Sequence, residues 1–316
     1  MGFPQMNLPM KWRQVLIIIV VTIMLIRIML SYGISNLLFL YDREQTSGLE
    51  IATDIYIGNR AAWRAIALNS NAHSDINAFH NASPMLPEIV QRGEIALQDN
   101  QISEAIDWLR LATKLAPNEP YPLYRLGEAL HRQGNLPASI SLLESAIAKL
   151  PEDPDYEGQL YLLLGKSLAQ SNPPAWTEAE KAFRQAIQAN TISDPWQKWD
   201  PYFELGLALR QQAKNEEAIS QFEAVAAARP TDYWVHIQLG LTSWELGSLQ
   251  DAERYFLQAI DINGKEKWAY LWLAVIYRES EKTVASLQMF DRVLERDPQD
   301  QFAIEQRELL LLQMPS

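Results

Sequence analysis

Residues 202–230 read YFELGLALRQQAKNEEAISQFEAVAAARP, and 34 residues further on, residues 236–264 read HIQLGLTSWELGSLQDAERYFLQAIDING. Both stretches set a glycine behind a leucine, an alanine twelve residues later and a phenylalanine four beyond that: Gly206, Ala218, Phe222, Val225 and Pro230, then Gly240, Ala252, Phe256 and Ala259, with Gly264 in the place of the proline. The same spacing recurs at Gly93, Ala105, Leu109, Ala112 and Pro117, at Gly127, Ser139, Leu143, Ala146 and Pro151, and at Ala274, Ser286, Phe290, Val293 and Pro298. A sixth copy starts at Gly165 and resumes two residues late at Ala179, Phe183 and Ala186, because Asn172-Pro173-Pro174-Ala175 lengthens its turn. A fixed period of this length marks an array of stacked units, none of which can bury its apolar face alone.

Each copy holds two windows with apolar residues at helical spacing, parted by turn residues such as Gln133-Gly134-Asn135 and Leu246-Gly247-Ser248. Glycine or alanine in the first helix and alanine or serine in the second allow close antiparallel approach, and the Phe or Leu four residues later fills the adjoining space. Proline then ends the second helix, since it donates no amide proton and disfavours helical geometry just before it. The expected fold is therefore all-α, a solenoid of helix hairpins. The Leu-Gly pairs at 126–127, 164–165, 205–206 and 239–240, the Leu273-Ala274 pair with Tyr277, and the Ala-x-x-x-Phe elements Ala179/Phe183, Ala218/Phe222 and Ala252/Phe256 resemble the tetratricopeptide repeat (TPR). That resemblance implies a right-handed solenoid of six repeats over residues 86–298, and a protein that offers a binding surface.

In such stacks the first helices line the inner curve, so residues on them that face away from the paired helix would meet a partner protein or peptide. Those residues are Phe203, Leu207 and Arg210, then Trp234, Ile237, Leu241 and Trp244, then Trp268, Leu271, Val275 and Arg278. Earlier copies place Tyr121, Tyr124, Glu128 and His131, and then Gln159, Leu162 and Lys166, in the same register, which makes that half more polar. Aromatic side chains on such a floor act either as core between helices or as binding hot spots. The Lys, Asn and Arg set with which the family clamps C-terminal carboxylates is missing, since Lys166 and Arg132 stand isolated.

The N-terminal third reads differently. Val15 to Leu40 is overwhelmingly apolar and, as a helix, long enough to cross a bilayer. Residues 1–14 form a short tail carrying Lys11 and Arg13, 15–40 the single transmembrane helix, and 41–85 a linker and degenerate helical cap around Ala61-Ala62-Trp63-Arg64-Ala65-Ile66-Ala67-Leu68. The excess of basic residues before the span sets the tail in the cytoplasm and the repeats outside it. A cleaved signal peptide, with Ser31-Tyr32-Gly33 as the cleavage region, and a buried soluble helix are the competing readings. Arg27 lies within the span, where it snorkels or pairs with an acidic residue of another membrane helix. At the other end, residues 299–316 read as an amphipathic capping helix.

Composition removes other classes. A net charge of −12 disfavours nucleic acid, whose binding requires neutralised phosphates. The absence of cysteine excludes disulfides, thiol catalysis and Cys-ligated metal. The four histidines, His73, His80, His131 and His236, have no metal-ligand spacing, and no catalytic triad or phosphate loop stands out, so neither catalysis nor a metal or small-molecule cofactor is expected. The sequence points to a membrane-anchored adaptor that assists assembly of an envelope complex; a structural subunit held through its transmembrane helix and an accessory domain of a membrane enzyme such as a glycosyltransferase are the alternatives.

Overall fold

The computed structural model describes residues 86–152 and 154–313. The apolar segment 15–40 with Arg27, the tail 1–14, the degenerate cap 41–85, His73 and His80 lie outside the described residues. Among the described residues there are thirteen α-helices, one short 3-10 helix over Gln197–Trp199 and no strand. No helix among them is long and apolar enough to cross a membrane. The chain divides after Asn135 into two compact units.

The first unit contains α1 (Leu86–Gln98), α2 (Ile102–Leu115) and α3 (Pro120–Gln133). Helices α1 and α2 form the first hairpin, in which a methyl at Gly93 would stand 2.6 Å from Leu109 Cγ, closer than real side chains come. Pro120 opens α3, where a missing amide proton costs nothing, and Gly134 closes it in the left-handed region at φ 84°. Ile89, Val90, Trp108, Leu111 and Ala112 form its core.

The second unit contains α4 (Leu136–Ile147), α5 (Glu157–Ala169), α6 (Trp176–Ala189), α7 (Asp200–Gln211), α8 (Asn215–Ala228), α9 (Tyr233–Glu245), α10 (Leu249–Ile262), α11 (Trp268–Glu279), α12 (Thr283–Arg296) and α13 (Gln301–Gln313). Each helix from α5 to α13 packs on the next, and the first helices α5, α7, α9 and α11 also touch one another in sequence, which is the stacking of hairpins that the period predicts. Ring contacts set the spacing within a hairpin: a methyl at Gly165, Gly206 or Gly240 would meet Phe183, Phe222 or Phe256 at 2.4, 2.5 or 2.6 Å. Phe183, Phe222, Phe256 and Phe290 are all fully buried.

The hairpins are also tied together along the stack. The amide of Ala269 donates to Tyr233 Oη at 3.1 Å, Arg229 pairs with Asp200 at 2.8 Å, and Lys267 bridges Asp297 and Asp300 at 2.6 and 2.7 Å. Between Gly165 and Gly206 the step is longer than elsewhere. The turn Gln170–Ala175 accounts for part of the excess, and a segment before α7 that includes the 3-10 helix accounts for the rest.

Candidate partner-binding surface

In the first unit, Tyr121 and Tyr124 sit on the first turns of α3 with ring centroids 6.0 Å apart. Tyr124 is buried, so it belongs to the interior rather than to a contact surface. Tyr121 is half-buried and donates its hydroxyl proton to the Glu94 carboxylate, which Arg125 also approaches at 3.2 Å. Burial, and then that hydrogen bond, push the Tyr121 hydroxyl well above its ordinary range. Arg125 and Arg132 both hold Glu128, and Arg132 reaches the Leu97 carbonyl at 3.0 Å. The polar character expected of this half takes the form of a closed network of carboxylates, guanidinium groups and a tyrosine.

In the second unit the first helices present a mixed surface, on which nearly every charge is engaged by the neighbouring hairpin. Lys166 lies 3.4 Å from Glu204, whose carboxyl burial raises above the usual range while Lys166 opposes that shift. Arg210 donates to Gln238 and lies 3.4 Å from Glu245, and Arg278 repeats the bond two hairpins on, to Gln306. Trp244 donates its indole proton to Glu279 at 2.7 Å, and its ring lies 5.6 Å from that of Trp272. These bridges link successive first helices in a common register, and they leave Arg210 and Arg278 occupied within the chain.

The apolar candidates divide by exposure. Trp234 and Trp268 are 50% and 40% exposed and occupy the same register, six residues before Gly240 and Ala274. Phe203, Leu207, Leu241 and Trp244 are partly covered. Ile237 and Leu271, by contrast, are 2% and 9% exposed and do not reach the surface. Ile237 shares a cluster with Ala269 and Leu273 of the next first helix, and Leu271 one with Ala303 and Leu310 of α13, so each is roofed by the element that follows it in the stack. Val275 is buried as well.

One part of this surface was missed in the sequence. Helix α13 does more than cover the last hairpin: it buries Ala303 and Leu310 while exposing Phe302, Leu309, Leu311 and Leu312. Phe302 stands 34 residues after Trp268, so the period itself would have identified it as the third aromatic residue in the row. Trp196, on the segment before α7, is exposed too, with the Arg229 guanidinium 5.5 Å from its ring.

Comparison with known proteins agrees with this architecture. Residues 162–233, 203–266 and 237–301 match the tetratricopeptide repeat family in three overlapping stretches, and the chain carries these repeats there. Among solved structures, PilW, described as a widely conserved type IV pilus biogenesis factor, aligns with TM-score 0.59 at 14% identity, covering 72% of this chain and 98% of that one. PilF of Pseudomonas aeruginosa aligns with TM-score 0.57 at 15% identity over the same shares. YrrB, described as a TPR protein with an unusual peptide-binding site, aligns with TM-score 0.52 at 16% identity, covering 63% of this chain and 97% of that one. At these identities the likeness is one of fold. No curated protein matches the sequence.

Proposed function

We propose that the chain is a membrane-tethered adaptor whose second unit holds an apolar segment of another protein across its first helices, outside the cytoplasm, during assembly of an envelope complex. The observation that carries this reading is the pair Trp234 and Trp268. These two large aromatic side chains stand exposed in one register at the starts of adjacent first helices, while the polar groups at the far ends of those helices are already bonded to each other. Exposed tryptophans in a row supply contact area at small entropic cost, while occupied arginines offer little to a charged ligand. The partner would therefore be recognised by apolar anchors rather than by a terminal carboxylate. No residue is assigned a catalytic role, and the mechanism is equilibrium binding, with the 15–40 segment holding the surface at the membrane and so raising its effective concentration toward anchored clients. The neighbours described as a pilus biogenesis factor and a peptide-binding protein support an assembly role of this kind.

The test replaces Trp234 with a photo-crosslinking residue, identifies the captured segment, and measures its affinity as a synthetic peptide. Trp234→Ala with Trp268→Ala should weaken that peptide by about tenfold or more, as expected for hot-spot aromatics, and leave the helical content unchanged. Undiminished affinity would refute the surface assignment. Protease access to the repeats in sealed vesicles tests the orientation, with protection from the extracytoplasmic side counting against it. Arg27 supports a second reading, a subunit held by an intramembrane ion pair; there Arg27→Leu, and not the tryptophan pair, would release the partner.

A further inference from the structure

The exposed tryptophans form a row that the junctions between hairpins hold in place. Trp234 and Trp268 start the adjacent first helices α9 and α11, and Trp196 stands just before α7. They are 50%, 40% and 62% exposed, although each begins or precedes a complete hairpin. The Arg229 guanidinium lies 5.5 Å from the Trp196 ring and 3.9 Å from Asp232, whose carboxylate accepts the Trp234 amide at 3.1 Å. The Tyr233 ring packs edge-on against Trp234 at 5.2 Å, and its hydroxyl accepts from the amide of Ala269, the neighbour of Trp268. Lys267 holds Trp268 in turn, with Nζ 5.2 Å from the ring. The anchors are thus fixed before a partner arrives, which lowers the entropic cost of binding. Among the described residues nothing accepts the indole protons of Trp196, Trp234 or Trp268, whereas Trp244 gives its proton to Glu279. Each bridging cation also faces two carboxylates, Arg229 those of Asp200 and Asp232 and Lys267 those of Asp297 and Asp300, so each junction keeps an excess of negative charge.

We propose that the segment held on this row is a proline-rich stretch of a partner protein, basic rather than acidic, in the polyproline II conformation; the inference rests on the tryptophan surface being the place of binding. Helices α9 and α11 touch, and helices in contact lie about 8–10 Å apart. Polyproline II advances about 9.3 Å in each three-residue turn. Side chains three apart on one face of the segment therefore meet Trp234 and Trp268 in step. A β-strand alternates faces with a period of two and turns its third residue away. An α-helix matches the spacing with residues seven apart, but its carbonyls are bonded within the helix. Polyproline II has no internal hydrogen bonds, so its carbonyls are open to the indole protons that this chain leaves unused. Its conformation is preformed and its proline rings suit an aromatic-lined site. Lysine or arginine between the prolines answers the excess carboxylates at the junctions, and acidic residues there are rejected.

The experiment titrates two fluorescein-labelled peptides of equal length and equal lysine content with the full chain in detergent micelles, read by anisotropy. One repeats Pro-x-x with Lys and Gln at x; the other is helical, with Leu at every seventh position on an Ala/Gln/Lys background. The proline peptide should bind about tenfold more tightly, the worth of hydrogen bonds that the helix cannot accept. Trp234→Ala with Trp268→Ala should abolish that preference, and glutamate in place of the peptide's lysines should weaken it about threefold. In protein carrying isotope-labelled tryptophan, the proline peptide should move the indole proton resonances of Trp196, Trp234 and Trp268 downfield and leave that of Trp244 in place, each assigned by its Trp→Phe variant. A helical peptide that binds as tightly or more tightly, and loses its affinity in the double variant, overturns the polyproline II assignment and leaves the tryptophan surface standing. Affinity for both peptides that is indifferent to the double variant overturns the surface as well. Unmoved indole resonances at saturation with the proline peptide overturn the proposal. So does a dimer in sedimentation that the double variant dissolves, since the occupant is then a second copy of this chain.

Discussion

Gly165, Gly206 and Gly240 carry a sharp constraint, because the ring of a buried phenylalanine occupies the space where a methyl would go. The physical cause is short range and local to one hairpin, which is why the sequence displays it so plainly: at Gly206 and Gly240, a residue that must be small and one that must be large recur sixteen positions apart. Ala274 opposite the buried Phe290 shows that a hairpin built around a methyl is also possible, so the constraint is complementarity rather than glycine as such. Gly206→Ala should therefore destabilise the second unit by about 1–3 kcal/mol, the usual range for overpacking a tight core, measured as a shift in the urea midpoint of its unfolding. An unchanged midpoint for the single variant would show that the helices separate freely and that the ring does not set the hairpin spacing.

Between elements, the hairpins are joined by polar bridges whose partners lie about one repeat apart in sequence. Glu180 on α6 is the most concentrated of them: it is buried, accepts from Arg184 at 3.0 Å, and is reached by Gln212 at 2.9 Å and Lys214 at 2.7 Å from the turn between α7 and α8. Burial alone would raise its carboxyl, but hydrogen bonds from Lys214, Arg184 and Gln212 outweigh burial and hold it below the ordinary glutamate range. A carboxyl depressed by folding stabilises the fold above its unfolded value and ceases to do so as pH falls through its folded value. Glu180→Gln should thus lower stability at pH 7 by about 1–2 kcal/mol, the cost of weakening charge-assisted bonds at a buried group, and the two proteins should converge as the pH falls below about 4, where the unfolded carboxyl also protonates. A gap of the same size at pH 7 and pH 3 would sink this account. Bridges of this sort were not legible in the sequence, where Glu180 is one acidic residue among many. Nor was the burial of Ile237 and Leu271, because a helical wheel describes a helix by itself, and the covering residues Ala269 and Ala303 come from the next first helix.

At the scale of the second unit, each hairpin has neighbours before and after it, and stability is a sum of hairpin terms and nearest-neighbour interfaces. The elements that pack on both sides should then open only with the unit, while an element packed on one side should fray. Helix α13 is such an element among the described residues: it rests on α12 and on α11 through Leu271 and Arg278, and buries only Ala303 and Leu310, whereas α9 packs between α8 and α10 and buries eight residues along its length. Native-state hydrogen exchange should find the amides of α9 among the slowest in the unit and those of α13 among the fastest, their opening free energies differing by several kcal/mol because exchange reports local as well as global opening. If α13 exchanged as slowly as α9, stability in this unit would not be a sum of local hairpin and interface terms, and the nearest-neighbour argument would lose its ground.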